Sequence, residues 1–408
     1  MEQAVAEPRE RPSAASALVT VWWLGLSQII GYGTLYYSFS ILADSMAASF
    51  KWPVSWLYAA FSLALFLSGL VAPAAGRRID RHGAGLVMMF GSASAAMTLF
   101  VGALSPTGFV FAAALIAMQV TGALVLYDAA FAALVQATGT EARQRIIYLT
   151  LIAGFASTIF WPLTAWLHRM FDWREIYGAF AIANLVLCLP IHAVLARQRK
   201  HFHSTTVART PFQASDEPAP PALQPRLLWG VTVGFAVAGF ALSAILAQLV
   251  PLLTALGIGD SALACSALFG PAQVLVRFAN MLVGARRHPI IATLIGLAML
   301  PTAIAILALS TPLTAGAALF SVLLGFGSGL KSIVQGTLPL ALFGSVGYGA
   351  RLGQMAAVRQ ALAAVAPFVL SFFVENLGAN YGLWAMVFAA MLGLACMTEV
   401  AWLYWRRH

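Results

Sequence analysis

Residues 54–75 read VSWLYAAFSLALFLSGLVAPAA, residues 76–83 read GRRIDRHG, and residues 84–104 read AGLVMMFGSASAAMTLFVGAL. Two runs without a single Lys, Arg, Asp or Glu thus flank a connector that carries Arg77, Arg78, Asp80 and Arg81. A helix rises about 1.5 Å per residue, so roughly 20 apolar residues cross a hydrocarbon core of about 30 Å, and both runs are long enough. Lipid offers the backbone no hydrogen bonds, so a spanning segment is either a helix or part of a closed barrel. The ten-residue alternation of a barrel strand is absent from both runs. The stretch is a pair of transmembrane helices joined by a charged turn.

The same pattern repeats outward in both directions. Apolar runs fall near 17–43, 108–136, 146–167 and 175–196, then near 227–256, 262–284, 289–309, 314–343, 352–376 and 381–404. With the first pair they make twelve spans. His201 to Pro225 is the long polar, Pro-rich interruption, and it reads as a flexible linker. The expected organisation is a tail over 1–16, a six-helix bundle over 17–200, a cytoplasmic linker over 201–225 and a second bundle over 226–408. The fold class is an all-α membrane protein of twelve transmembrane helices in two pseudo-symmetric six-helix bundles. Gly122 and Asp128 in the fourth run match Gly325 and Lys331 in the tenth by position, as expected if the halves are repeats.

Composition agrees. Of 408 residues 61% are hydrophobic and 9% charged, against about 25% charged in a soluble domain, which must coat itself for water. The net charge of +9 does not imply nucleic acid, because the charges sit between the apolar runs instead of along one face. With both termini cytoplasmic, seventeen of the 23 Lys and Arg lie in cytoplasmic segments, three in outer loops and three inside spans, which fixes the orientation. Cys188, Cys265 and Cys396 lie in apolar runs and form no disulfide framework or metal motif. No paired His/Cys spacing, phosphate loop or nucleophile elbow is present, so no cofactor, metal or catalytic residue is expected. An Ala-rich chain with a short linker suggests a bacterial cytoplasmic (inner) membrane and a monomer. Trp52, Trp56, Trp173, Trp402, Tyr404 and Trp405, near span ends, are expected to anchor at the interfaces.

The connector Gly76-Arg-Arg-Ile-Asp80-Arg81-His-Gly83 resembles the Gly-x-Leu-x-Asp-Arg-x-Gly-Arg-Arg loop of the major facilitator superfamily, in the loop where that family keeps it. Gly76, Asp80, Arg81 and Gly83 match, whereas Ala84 and Gly85 stand where two basic residues usually follow. The resemblance implies alternating access between two rigid bundles, with Asp80 and Arg81 as gating residues that latch helix ends. Within the superfamily, Phe50–Trp56 and Gly270–Arg277 look like the monocarboxylate and oxalate/formate porters. Those porters place a basic residue in the eighth helix, here Arg277, and oxalate-type members add one in the eleventh, for which Arg359 is the candidate. Gln273 replaces the acid that some members carry four residues earlier, so proton coupling through that pair is not implied. Proton-coupled drug exporters carry Gly-x-x-x-Gly-Pro-x-x-Gly-Gly in the fifth helix. The stretch from Gly154 to Trp161-Pro162 keeps a Pro without the following glycines, which disfavours that alternative. A transporter-like receptor or sensor, the other alternative, has little chain outside the spans to signal with.

Asp128, Arg277, Lys331 and Arg359 lie well inside spans, where a charge costs at least about 2.5–3.5 kcal/mol, so each needs a partner, a wet cavity or a role. Lys and Arg can also snorkel along their stems. All four fall at one level, slightly cytoplasmic of the midplane, as one cluster of three cations and one anion. Asp128 is expected to pair with Lys331 as a coupling or gating carboxylate. That leaves about two positive charges for a small anionic substrate, which Arg277, Arg359 and Lys331 would hold, Arg by a bidentate grip on a carboxylate. Tyr32, Tyr36 and Gln28 of the first span are expected to line the same cavity. Gln119, Gln248 and Gln335 are lesser candidates.

Overall fold

The computed structural model describes residues 14–202, 222–284 and 287–406, so most of the expected tail and linker lies outside the described residues. Helices long and apolar enough to cross a membrane number eleven among the described residues. One of them, Gly108–His168, holds two spans divided by the 3₁₀ turn Gly139–Glu141, which brings the spans to twelve.

Two cores organise them. One runs from Leu223 to Tyr404 and belongs to the second bundle alone. The first bundle has one core around Phe39, Phe111, Trp173 and Tyr177, and another around Phe131 and Leu149. The latter also takes in Leu340, Tyr348 and Leu352 from the second bundle, so the halves are cemented at that end.

Several spans are irregular, and their released backbone groups find partners. The first span runs to Phe50, beyond the expected end at 43, and stops where Lys51 turns left-handed (φ 55°) ahead of Pro53. It contains a π-helical segment, Gly33–Tyr37, beside which the carbonyl of Leu35 accepts from Gln119 Nε2 at 2.6 Å. At Gly33 a Cβ would strike the Phe160 ring, so only glycine fits this close crossing. The fourth span, expected as one helix, breaks at the extended residue Leu126 (ψ −165°) into Gly108–Val125 and Tyr127–Thr138. Gln28 Nε2 donates to the carbonyl of Val125 at 2.7 Å beside the break. Pro367 inside the eleventh span deprives the Ala363 carbonyl of its N–H; Ser243 donates to it at 3.3 Å, and Gln248 Nε2 donates to the Pro367 carbonyl at 2.9 Å. With no water in the bilayer core, such repairs are obligatory.

The sixth span starts on a capping box: the Asp172 side chain accepts from Arg174 N, and Glu175 accepts from Asp172 N. Trp173, next in sequence, is no interfacial anchor. Its ring is fully buried between Phe50, Phe111 and Tyr177 and donates to Ser49 Oγ at 2.9 Å. Tyr404 is likewise buried, stacked on His288. Both lie near span ends but face inward, a distinction that proximity to an end cannot make.

Candidate substrate cavity between the bundles

Asp128, Arg359 and Lys331 come together, with different partners from those expected, and Arg277 sits apart from them against Gly154 of the first bundle. Asp128 lies in the first turn of the helix that restarts after Leu126, where a carboxylate complements the positive end of the helix dipole. Its Oδ2 accepts from Arg359 Nη2 at 2.9 Å, an ion pair that joins the two bundles. The expected pairing with Lys331 is therefore corrected: Arg359, reaching across from the eleventh span, takes the carboxylate. In the amide orientation that satisfies both groups, the Gln335 side-chain oxygen accepts from Arg359 Nη1 at 2.9 Å and Nη2 at 3.1 Å.

Lys331 lies one turn before Gln335 and forms no hydrogen bond or ion pair among the described residues. Its ammonium rests over Gly239, where a Cβ would stand 3.0 Å from Nζ and 3.7 Å from Arg359 Cγ. Arg277 is only 5% exposed. Its Nε donates to Ser332 Oγ at 3.1 Å, but Nη1 is buried without a partner. The guanidinium lies against Gly154, at the kink between the two helices of the fifth span, where any side chain would displace it. Gln273, one turn earlier, donates to Ser328 Oγ at 2.7 Å and does not touch Arg277 by hydrogen bond.

Opposite these cations stands an aromatic wall from the first bundle. Tyr32 and Tyr127 pack with centroids 4.8 Å apart, Tyr36 and Tyr37 at 5.4 Å, and Tyr37 meets the edge of Trp161 at 5.6 Å. Arg277 lies within electrostatic reach of Tyr37 and Tyr127, and Arg359 of Tyr32. Gln28 does not join this wall. It is fully buried inside the first bundle, its amide committed to Val125. Gln119 and Gln248 are similarly committed to backbone carbonyls. Sequence reasoning missed Ser332, Gly154 and Gly239, whose roles depend on neighbours distant in the chain.

On the Asp80 side the two bundles are in direct contact. Asp80 accepts from the backbone N–H of Gly349 at 2.9 Å and of Ala350 at 2.8 Å, capping the N-terminus of the eleventh span from the other bundle. Gly76 sits so close to the Gly349 carbonyl, and Gly353 to the Ala72 carbonyl, that neither tolerates a Cβ. Arg143 also donates across the halves, to the Arg287 carbonyl. Arg81 is exposed on the last turn of the second span. All these contacts lie on the Asp80 side of the Asp128–Arg359 pair. Ala72, Gly76, Ala123, Asp128, Gly349 and Gly353 line a small crevice between the bundles.

The sequence profile of the Major Facilitator Superfamily matches residues 21–347. No curated protein matches the chain. Among solved structures, the human organic anion transporter MFSD10 (TETRAN) superimposes with a TM-score of 0.70 at 18% identity, covering 95% of this chain and 100% of that one. The transporter FucP in its outward conformation superimposes with a TM-score of 0.66 at 12% identity, covering 94% and 99%.

Proposed function

This chain belongs to the major facilitator superfamily, whose members are transporters and not enzymes, and from that premise we propose that it carries a small organic anion of carboxylate type across the membrane by alternating access. The single observation behind the substrate class is the surplus of buried positive charge. Asp128 neutralises Arg359, while Lys331 and Arg277 have no acid among the described residues. A guanidinium nitrogen buried without a partner is costly, and a carboxylate arriving at Arg277 would satisfy it with two parallel hydrogen bonds. Neutralising the cluster would lower the cost of closing the bundles over it.

The driving force is an ion or counter-substrate gradient, making the protein a symporter or antiporter that works as a monomer. The Lys/Arg distribution supports cytoplasmic termini and a cytoplasmic Asp80 connector in the inner membrane. Closure at the Asp80 end then corresponds to an outward-facing conformation. The likeness to an organic anion transporter, at 18% identity, carries the fold only; the substrate reading rests on the charges.

The test is uptake or exchange of a carboxylate panel in proteoliposomes. Arg277→Gln is expected to abolish transport while membrane insertion and monodispersity persist. Undiminished transport in that variant removes the basis of the anion assignment.

A further inference from the structure

Four tyrosines of the cavity wall share a property that packing alone does not require. Tyr32, Tyr36, Tyr37 and Tyr127 sit at mid-membrane depth, yet none of their hydroxyls has a hydrogen-bond partner among the described residues. None is fully buried either, and Tyr36 is 38% exposed. In a hydrocarbon environment such hydroxyls would be unsatisfied, so they call for water or a polar ligand beside them. The π-helical segment Gly33–Tyr37 reorients this stretch of the first span, and π-bulges recur at functional sites. Tyr127 is fixed from behind by stacking on Phe131, with rings 5.1 Å apart and 10° from parallel. Trp161 continues the wall from the fifth span.

Resting on the carboxylate reading of the site, we propose that the substrate is a carboxylate with a flat aromatic or conjugated body, the head held by Arg277 and the plane laid against Tyr32, Tyr37 and Tyr127. A small aliphatic acid would satisfy the guanidinium and leave the wall unused. The arrangement also divides the work between bundles: the anionic head is gripped by the eighth span, and the body by the first, fourth and fifth. A ligand that reaches both halves favours the closed, occluded arrangement more than one that touches a single half, as alternating access requires. Ring faces and edges at these separations suit offset or edge-on contact with a further ring, which discriminates an aromatic from a saturated body beyond their shared apolar area.

The experiment uses the full-length chain in proteoliposomes with radiolabelled benzoate, competed by cinnamate, cyclohexanecarboxylate, acetate and oxalate. Benzoate and cyclohexanecarboxylate differ in planarity but scarcely in size or charge. Benzoate and cinnamate are expected to compete at concentrations about ten-fold lower than cyclohexanecarboxylate, a ratio in the range that one or two ring contacts supply. Tyr127→Leu should erase that ratio while retaining carboxylate competition, and Tyr127→Phe should keep it. Arg277→Gln should abolish all of it. Equal competition by benzoate and cyclohexanecarboxylate, or better competition by acetate or oxalate, overturns the aromatic proposal and leaves the anion reading standing. Absence of any carboxylate competition in the wild type overturns both.

Discussion

Replacing Asp80 by Asn tests the latch at the shut end. The carboxylate accepts two backbone N–H groups, at 2.9 and 2.8 Å, from the first turn of the eleventh span. An Asn side chain supplies one acceptor oxygen and no charge. It therefore keeps at best one of the bonds and loses the favourable interaction with the helix dipole. For a half-buried group the loss amounts to about 1–2 kcal/mol. Because Asp80 and its acceptor site lie on different bundles, that energy is absent whenever this end opens, so the substitution shifts the closed–open equilibrium by its full amount. At about 1.4 kcal/mol per decade, opening becomes five- to thirty-fold more frequent. Ala72 is 4% exposed and borders the crevice beneath the latch. In a background with Cys188, Cys265 and Cys396 replaced, the alkylation rate of Ala72→Cys reports the open population even when closure dominates. A rate rise within that range, measured with an impermeant reagent from the Asp80 side, is expected for Asp80→Asn. An unchanged rate refutes the latch.

Other substitutions separate the roles of the buried polar groups. Asp128→Asn leaves Arg359 without its acid and should lower stability by about 3–5 kcal/mol, read as a melting-temperature drop; exchanging the residues as Asp128→Arg with Arg359→Asp should recover part of it. Gly154→Leu occupies the space of the Arg277 guanidinium and should abolish transport in a protein that still purifies as a monodisperse species. Gln28→Leu exposes the Val125 carbonyl at the fourth-span break and should cost about 1–3 kcal/mol without altering substrate affinity; an affinity loss at full stability would return Gln28 to the substrate site. His192, buried between Ser92 at 2.6 Å and Ser27 at 3.1 Å, belongs to the interior of the first bundle. His192→Phe should destabilise without changing the order of carboxylate preference.

The number of spans and their arrangement in two bundles were legible because each follows from local composition. Twenty apolar residues report a span wherever it packs, and an ionised group at mid-membrane stands out against them. Partner choice was not legible in the same way. Asp128 and Lys331 were the expected pair, yet the long Arg359 side chain on the eleventh span reaches the carboxylate instead. The break at Leu126 was also hidden, since an apolar Gly-Ala-Leu-Val-Leu run fits a continuous helix equally well. Without that break, nothing marks Gln28 as a backbone partner, and an intramembrane glutamine reads as a ligand.

The polar groups thus fall into two sets by what they contact. Gln28, Gln119 and Ser68 donate to backbone carbonyls within the first bundle, and Ser243 and Gln248 do so within the second. Such bonds can persist through a rigid-body rocking motion, because donor and acceptor travel together. The Asp128–Arg359 pair and the Asp80 cap instead join different bundles, and Arg277 lies against Gly154 of the other half. If one bundle rocks against the other, these contacts must break and their groups must be re-solvated or re-partnered. Placing long, charged side chains at the moving boundary and short neutral hydrogen bonds within each bundle confines the polar part of the cost of the conformational change to a few residues, beside the apolar core shared at the Asp80 end. It also gives an anion at the proposed site leverage over the equilibrium, since those same residues include Arg277, which has no acid partner among the described residues.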